Sequence, residues 1–111
     1  MENKIMMQKG VLVVVLEGEL DLNSAEGYRD AIDDAIMRWD AMYLVFDLSN
    51  VTFIDSSGLG MMLGRYKKIE QKGGRSAMYG ICPRLSRMIE VSGLQKLMPV
   101  YKTREDAIEG V

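Results

Sequence analysis

The sequence predicts an α/β fold in which helices pack against a small mixed, mostly parallel β-sheet. The prediction depends on two apolar runs, Val11–Leu16 and Tyr43–Leu48, and on the segment between them. Nearly continuous apolar runs of this length are typical of strands that are covered on both faces. The intervening segment has apolar residues three and four positions apart, which indicates a helix with one buried face. A strand, a helix and a second buried strand form a βαβ unit, whose strands we expect to be parallel and joined by a right-handed crossover.

Size and charge limit the classes of protein to which the chain can belong. Its 111 residues are 48% apolar, which suits a single domain over residues 1–111 with one modest core. The 14 basic and 16 acidic side chains give a net charge of −2, without the basic excess that is typical of nucleic-acid-binding domains. The sequence shows neither a secretory signal nor an apolar run long enough to cross a bilayer. We therefore expect a cytoplasmic protein that contacts neither nucleic acid nor membrane directly.

The chain has no histidine and one cysteine, Cys82. A Ser-His-acid triad therefore cannot be assembled, and the sulfur and imidazole ligands of a zinc site are missing. Cys82 lacks the histidine that usually activates a cysteine nucleophile, and we expect it to be a small buried residue. These absences predict a protein that is not an enzyme, with no catalytic residue, no metal site and no cofactor.

The N-terminal residues predict a β-hairpin. Ile5–Gln8 is expected to form a short strand, and Lys9–Gly10 a tight turn that leads into the strand Val11–Leu16. This second strand is apolar on both faces, so we place it in the middle of the sheet with structure above and below it. Glu17–Asp21 is expected to be a polar loop after that strand.

A capping pattern begins the first predicted helix. Asn23, with Glu26 three residues later, has the spacing of a capping box, and the helix is expected to end near Asp40. Its inward-facing residues should be Ala25, Tyr28, Ala31, Ile32, Ala35, Ile36 and Trp39. Its opposite face carries Glu26, Asp30, Asp33 and Asp34, which we interpret as a solvated face, with contact to a partner as the alternative.

The second half of the chain alternates helices and strands. The predicted elements are a helix from about Ser57 to Gln71 that stops at Gly73–Gly74, a strand at Ser76–Ile81, a helix from Pro83 to Ser92, a strand at Leu97–Tyr101 and a short helix capped by Thr103. The first of these helices should face the core with Leu59, Met62, Leu63, Tyr66 and Ile69. Because Pro99 cannot donate a ladder hydrogen bond, we expect the last strand at the edge of the sheet.

The segment Phe53–Gly60 is the strongest candidate for a functional site. An apolar run ends at Asp55, two serines and two glycines follow, and helical spacing begins, so we expect a strand, a tight loop and a helix start. The first backbone N–H groups of a helix have no intrahelical partner and attract anions, so a hydroxyl at this point is suited to carry a phosphate. The alternative is that Asp55, Ser56 or Ser57 only caps the helix. If Asp55 is the cap, Ser56 projects freely, while Ser57 is expected to bond to backbone.

Two loops of the predicted sheet should lie on one edge. Glu19–Asn23 follows the central strand and Asp55–Gly60 follows the next parallel strand. Ligands and partners of such sheets usually meet the loops at the carboxyl ends of the strands. We therefore predict that Asp21 and Ser56 belong to one surface.

Several motifs together resemble the anti-sigma factor antagonist family of STAS domains. They are Gly18-Glu19-Leu20-Asp21, Phe53-Ile54-Asp55-Ser56-Ser57-Gly58-Leu59-Gly60, Leu63-Gly64-Arg65-Tyr66-Lys67, Gly73-Gly74 and Ser92-Gly93-Leu94, and they extend over most of the chain. The resemblance implies the STAS fold. It also implies that the unphosphorylated protein binds an anti-sigma factor with serine kinase activity and thereby releases a sigma factor.

The resemblance further assigns roles to individual residues. It implies that the kinase phosphorylates Ser56, the serine that directly follows the acid, and that a serine phosphatase restores the active form. Asp21 matches the family's loop acid near the partner. On this basis the expected partner-binding residues are Asp21, Asp55, Ser56, Ser57, Gly58 and Leu59.

Two alternative functions remain open at the level of sequence. A related STAS interaction module, such as a general stress antagonist or a scaffold subunit, has similar loops. Nucleotide binding is suggested by Gly58, Gly60 and Gly64 after a strand, although the third glycine is one residue late for a dinucleotide fingerprint. No acidic strand end follows about twenty residues later, which further weakens that hypothesis.

Overall fold

A computed structural model describes residues 4–111, which contain a five-stranded sheet and four α-helices. In chain order the elements are β1 (Ile5–Gln8), β2 (Val11–Leu20), α1 (Leu22–Trp39), β3 (Tyr43–Ile54), α2 (Ser56–Gln71), β4 (Arg75–Tyr79), α3 (Pro83–Ser92), β5 (Val100–Tyr101) and α4 (Arg104–Gly110). The strands are ordered β1-β2-β3-β4-β5 across the sheet. β1 pairs antiparallel with β2, and all other pairs are parallel. The predicted mixed, mostly parallel sheet is therefore confirmed.

The sheet separates two layers of buried side chains. Leu12, Phe46 and Met78 point to the face that α1, α2 and α3 cover. Their neighbours along the strands, such as Val13 and Val45, point to the other face, where α4 packs. Alternate residues of a strand point to opposite faces, so burial on both sides explains the continuous apolar runs.

β2 is longer than predicted, and the expected polar loop at Glu17–Asp21 is wrong over its first four residues. Residues 17–20 continue the strand and pair with β3 as far as Leu20 and Ile54, with register shifts on both sides of Gly18. Gly18 has a φ of +67°, a conformation that glycine adopts without steric cost and that is typical of a bulge. The exposed glutamates indicate a loop, but the pairing with β3 satisfies their backbone groups.

Helix boundaries follow the predictions closely, while some buried faces differ. α1 ends as expected, but Trp39 is 42% exposed and does not complete the inward stripe. α2 begins at Ser56, one residue early, and buries Met61 and Arg65 together with Met62 and Ile69. Because α2 packs against both the sheet and α1, its buried surface is wider than one stripe. The remaining predicted inward residues, Leu59, Leu63 and Tyr66, are partly buried against the core.

In the last third of the chain the two strands end earlier or are shorter than predicted. β4 stops at Tyr79, two residues early, and β5 contains only Val100 and Tyr101, while Leu94–Lys96 forms a turn of 3₁₀-helix after α3. β5 lies at the sheet edge, as the proline predicted. The side chain of Thr103 accepts a hydrogen bond from the backbone N–H of Asp106 at 3.1 Å and caps α4, as predicted.

Two further expectations concern burial and membranes. Cys82 lies at the N-cap of α3, where its backbone accepts helical hydrogen bonds, and it packs against the core but is only half-buried, so it is less buried than predicted. Within residues 4–111, no helix combines the length and the apolar character needed to cross a membrane.

Candidate partner-binding surface at the carboxyl edge of the sheet

Two acidic residues end neighbouring strands at the same edge of the sheet. Leu20 of β2 and Ile54 of β3 are paired in register, and Asp21 and Asp55 follow them directly. The backbone N–H of Asp55 donates a hydrogen bond to the carbonyl oxygen of Leu20 at 3.0 Å. The two loops are therefore joined, and the prediction that they lie at one edge is confirmed.

Asp21 is the N-cap of α1. Its Oδ1 accepts hydrogen bonds from the backbone N–H groups of Asn23 at 3.0 Å and Ser24 at 3.1 Å. The Ser24 hydroxyl in turn accepts a hydrogen bond from the backbone N–H of Asp21 at 3.1 Å, which completes a capping box. The predicted capping box of Asn23 and Glu26 is wrong. β2 extends to Leu20 and the helix is capped directly after it, two residues closer to the N-terminus than predicted.

Asp55 caps α2 in the same way. Its Oδ1 accepts hydrogen bonds from the backbone N–H groups of Ser57 at 2.8 Å and Gly58 at 3.1 Å. A carboxylate at a helix N-terminus is favoured both by these bonds and by the helix dipole. Asp55 is therefore the cap of α2, one of the three candidates that the sequence offered, and the cap does not use the Ser56 hydroxyl.

The two serines differ in exposure. Ser56 is the first residue of α2 and is exposed, whereas Ser57 is half-buried. Among residues 4–111 we find no hydrogen bond from the Ser57 hydroxyl to backbone, contrary to what was expected of it. Of the two serines, Ser56 is therefore the more accessible residue.

Gly58 and Leu59 have mainly structural positions. Gly58 is buried, and a Cβ atom at this position would overlap the backbone carbonyl of Leu20. Glycine at this position therefore allows α2 to begin directly against β2. Leu59 is partly buried and packs against the core cluster.

The surface has apolar and polar components that the sequence did not reveal. Leu22, at the start of α1, and Phe53, near the end of β3, are large apolar side chains that remain exposed beside the capping acids. Phe53 is paired with the exposed Glu19 of β2. Strand alternation alone would not have predicted that Phe53 is exposed. Val51, two residues earlier, and Ile54, the next residue, are both buried, so inward and outward positions do not alternate strictly here.

A groove separates the N-terminal halves of α1 and α2. It has a volume of about 420 Å³ and is lined by Leu22, Ala25, Glu26 and Arg29 of α1 and by Ser57, Gly60, Met61 and Arg65 of α2. Arg65 is 7% exposed, and its Nε lies 2.8 Å from Asp33 Oδ1. Lys68 lies 3.4 Å from the other oxygen of Asp33. Asp33 therefore joins the two helices and does not belong to the solvated face predicted for it.

Burial lowers the pKa of Arg65, and nearby Arg29 acts in the same direction, whereas Asp33 opposes both effects. The ion pair with Asp33 thus stabilises a guanidinium that is otherwise poorly solvated. The pair fixes α2 relative to α1 at the groove, which Arg65 itself lines. The N-termini that carry Asp21 and Asp55 are held together by this contact as well as by the sheet.

The geometry does not support a phosphate-binding glycine loop. Gly58, Gly60 and Gly64 all lie inside α2, and the N–H of Gly58 is bonded to Asp55. A phosphate loop instead presents free backbone N–H groups to its ligand. Within the part of the chain that the structure describes, no three Asp, Glu or Cys side chains cluster as metal ligands do.

This fold is that of a known domain class. The STAS domain model matches residues 4–107, and the chain belongs to the STAS domain family. Within that family it is similar to proteins that are anti-sigma factor antagonists. The anti-sigma F factor antagonist of Paenibacillus polymyxa is 45% identical over 100 residues, which are 90% of this chain and 86% of that protein.

Solved structures give the same result. The anti-sigma factor antagonist SpoIIAA in its unphosphorylated form is 29% identical and superposes with a TM-score of 0.80 over 96% of each chain. The Bacillus cell fate determinant SpoIIAA in its phosphorylated form is 31% identical, with a TM-score of 0.74 and the same coverage. These comparisons confirm both the predicted fold and the predicted family.

Proposed function

We propose that the chain is an anti-sigma factor antagonist that is switched by phosphorylation of Ser56. In the unphosphorylated form it binds an anti-sigma factor with serine kinase activity, and the bound sigma factor is released. The kinase then transfers a phosphate to the Ser56 hydroxyl and the complex separates. A serine phosphatase restores the active form.

The observation that carries the proposal is the division of roles between Asp55 and Ser56. Asp55 supplies the helix cap, so the adjacent Ser56 hydroxyl is exposed and free to react. The similarity to SpoIIAA, which has been solved in unphosphorylated and phosphorylated forms, supports a switch by phosphorylation. The half-buried position of Ser57 favours Ser56 as the acceptor.

The charges at this edge explain how one phosphate changes binding. A phosphoserine carries about −1.5 to −2 charges at neutral pH. At the first position of α2 this charge is compatible with the folded chain, because the helix dipole favours anions. It also lies next to Asp55 and on the edge that holds Asp21, so the surface becomes strongly negative. A partner that fits the neutral hydroxyl then meets both repulsion and a larger group.

The rest of the surface is suited to a protein partner. Leu22 directly follows Asp21 and Phe53 lies two residues before Asp55, and both side chains are exposed. Exposed apolar side chains next to polar groups are typical of interfaces. We propose Asp21, Asp55, Ser56, Ser57 and Leu59 as contact or positioning residues of this interface. Gly58 contributes by letting α2 start against Leu20.

The test combines phosphate mapping with binding. The anti-sigma kinase is first captured from the source cell with the purified chain and identified by mass spectrometry. The chain is then incubated with that kinase and ATP, and the modified residue is mapped by peptide sequencing. We expect phosphate on Ser56 in the parent and in Ser57→Ala, and none in Ser56→Ala; phosphate confined to Ser57 would contradict the proposal.

A further inference from the structure

A second groove lies between β1 and the C-terminal half of α1. Its volume is about 560 Å³, and it is lined by Ile5, Met6 and Met7 of β1 and by Ala31, Ala35 and Trp39 of α1, together with the charged Asp34 and Arg38, which pair with each other at 2.7 Å. Trp39 is 18 residues after the Asp21 cap, which corresponds to about 27 Å along a helix. This groove is therefore separate from the surface around Ser56.

The groove leaves large apolar side chains in contact with water, which is energetically unfavourable. Trp39 is the chain's only tryptophan and is 42% exposed, and Met7 of the facing strand is 39% exposed. Large side chains of these two types are enriched at protein interfaces, where tryptophan often contributes much of the binding free energy. Their position across one groove indicates a surface that a partner covers.

The strand that borders the groove has a free edge. β1 is the first strand of the sheet and, within residues 4–111, pairs only with β2. In an antiparallel strand, alternate residues direct their N–H and C=O groups away from the neighbour, so β1 has unpaired backbone groups along its outer side. β5, at the other edge, is a poor template because it has two residues and follows Pro99.

Lysines at both ends of β1 influence which kind of chain can pair with its free edge. Lys4 precedes the strand and lies 3.2 Å from Glu17, while Lys9 in the turn is exposed and has no ion pair within the described residues. A second copy that paired all four residues of β1 antiparallel would place Lys4 of each chain opposite Lys9 of the other. Like charges directly opposed across strands are destabilising, so the edge disfavours its own copy.

We propose that β1 and this groove bind an extended segment of a partner protein. The segment adds a strand to the sheet edge, places alternate apolar side chains into the groove against Trp39 and Met7, and carries acidic residues at its ends that pair with Lys4 and Lys9. Strand addition of this kind obtains affinity from backbone hydrogen bonds and specificity from side-chain pockets. The proposal does not depend on the function of Ser56.

The lone tryptophan provides a direct readout. The probe is a short synthetic peptide with valine at alternate positions, threonine between them and glutamate at each end. We expect a saturable change in Trp39 fluorescence on titration. A peptide with lysine at each end should bind about tenfold more weakly, and a peptide methylated on alternate backbone nitrogens should not bind.

Matched variants separate the groove from general effects. Met7→Glu should weaken binding about tenfold, whereas Met37→Glu should not, because Met37 is 78% exposed on α1 outside the groove. Lys9→Glu should reduce or abolish the preference for the glutamate-ended peptide, because only Lys4 then favours an acidic end. Circular dichroism melts establish that each variant is folded.

Three outcomes would overturn the proposal. One is the absence of saturable binding by the glutamate-ended peptide to the folded parent. Another is equal binding of all three peptides. The third is concentration-dependent dimerisation in analytical ultracentrifugation that Met7→Glu abolishes, because the groove would then belong to a second copy of the chain.

Discussion

The backbone N–H of Asp55 donates a hydrogen bond to the carbonyl oxygen of Leu20 at 3.0 Å, and this contact joins the starts of α1 and α2. Asp21 follows Leu20 and caps one helix, while Asp55 caps the other. Any change that separates Leu20 from the first turn of α2 should therefore alter the stability of the fold and the geometry of the candidate binding surface together.

Gly58→Ala is expected to destabilise the protein by roughly 1 to 3 kcal/mol, because its Cβ would overlap the Leu20 carbonyl. Alanine is the better helix former by about 1 kcal/mol, so the clash must outweigh that gain. Gly60→Ala is the matched control, since a Cβ at Gly60 meets nothing within 4 Å and should stabilise by about 1 kcal/mol. Urea denaturation measures both; stabilisation by Gly58→Ala would contradict the proposed close contact.

The ion pair between α1 and α2 predicts that removing one of its two side chains costs more stability than removing the other. Asp33→Ala leaves Arg65 buried without its carboxylate and should cost roughly 3 kcal/mol, in the range for breaking a buried pair. Arg65→Met should cost less, because Asp33 is partly exposed and keeps Lys68 at 3.4 Å.

An exposed ion pair on α1 provides the control for that prediction. Asp34 lies 2.7 Å from Arg38, but both side chains are more than half exposed. Asp34→Ala should therefore change the free energy of unfolding by about 0.5 kcal/mol or less. If Asp33→Ala and Asp34→Ala lowered the free energy of unfolding equally in urea denaturation, burial of Arg65 would not strengthen its ion pair, and the prediction would be wrong.

A polar network holds α4 on the sheet. The Tyr79 hydroxyl donates a hydrogen bond to Asp47 Oδ2 at 2.6 Å and accepts one from Arg104 Nε at 2.8 Å. Burial and the bond to Asp47 raise the pKa of Tyr79 to about 12. Burial alone would raise the pKa of Asp47, but hydrogen bonds from Ser49, Tyr79 and Arg104 outweigh it and hold that pKa below its ordinary value of 3.8.

This network predicts a loss of stability in acid. Because the folded chain has the lower Asp47 pKa, the unfolded chain binds a proton first, so the contribution is complete at neutral pH and falls below about pH 4. Unfolding measured at pH 7, 4 and 3 should show a weaker pH dependence for Asp47→Asn than for the parent. Asp34→Asn, which removes an exposed carboxylate, should retain more of the parent's dependence; identical curves for the parent and Asp47→Asn would refute the assignment.

The order of elements could be predicted from the sequence because apolar periodicity reflects burial directly. The pairing of β2 with β3 beyond Leu16 could not, since the glutamates there are polar and only the neighbouring strand satisfies their backbone. The role of Asp47 was also hidden, because its partners Tyr79 and Arg104 are 32 and 57 residues away in the chain. Long-range pairs of this kind leave no local pattern.

The placement of Asp21 and Ser56 at one edge of the sheet could be predicted more completely than the core contacts. Parallel strands end at one edge, so the proximity of Asp21 and Ser56 followed from the βαβ pattern alone. The capping role of Asp21 was missed because it depends on where β2 stops. The exposure of Trp39 was missed because helical spacing does not show where the sheet beneath a helix ends.

Substitutions at Ser56 test whether charge at this position controls binding and stability separately. Ser56→Asp and Ser56→Glu place a negative charge at the first position of α2, where the helix dipole favours it by roughly 0.3 to 1 kcal/mol. Asp55 already supplies the cap, so none of the Ser56 variants should melt appreciably below the parent. The acidic variants should nevertheless bind the anti-sigma kinase much more weakly, by about 2 to 5 kcal/mol if the contact is fully desolvated.

Ser56→Ala completes the comparison, because it removes the phosphate acceptor without adding charge. It should bind the kinase as the parent does and keep binding after incubation with ATP, whereas the parent should lose binding. Thermal melts and titration calorimetry on these variants distinguish the possibilities: a folded Ser56→Asp that binds as tightly as the parent would rule out control by charge, since the same edge would then tolerate an anion beside Asp55.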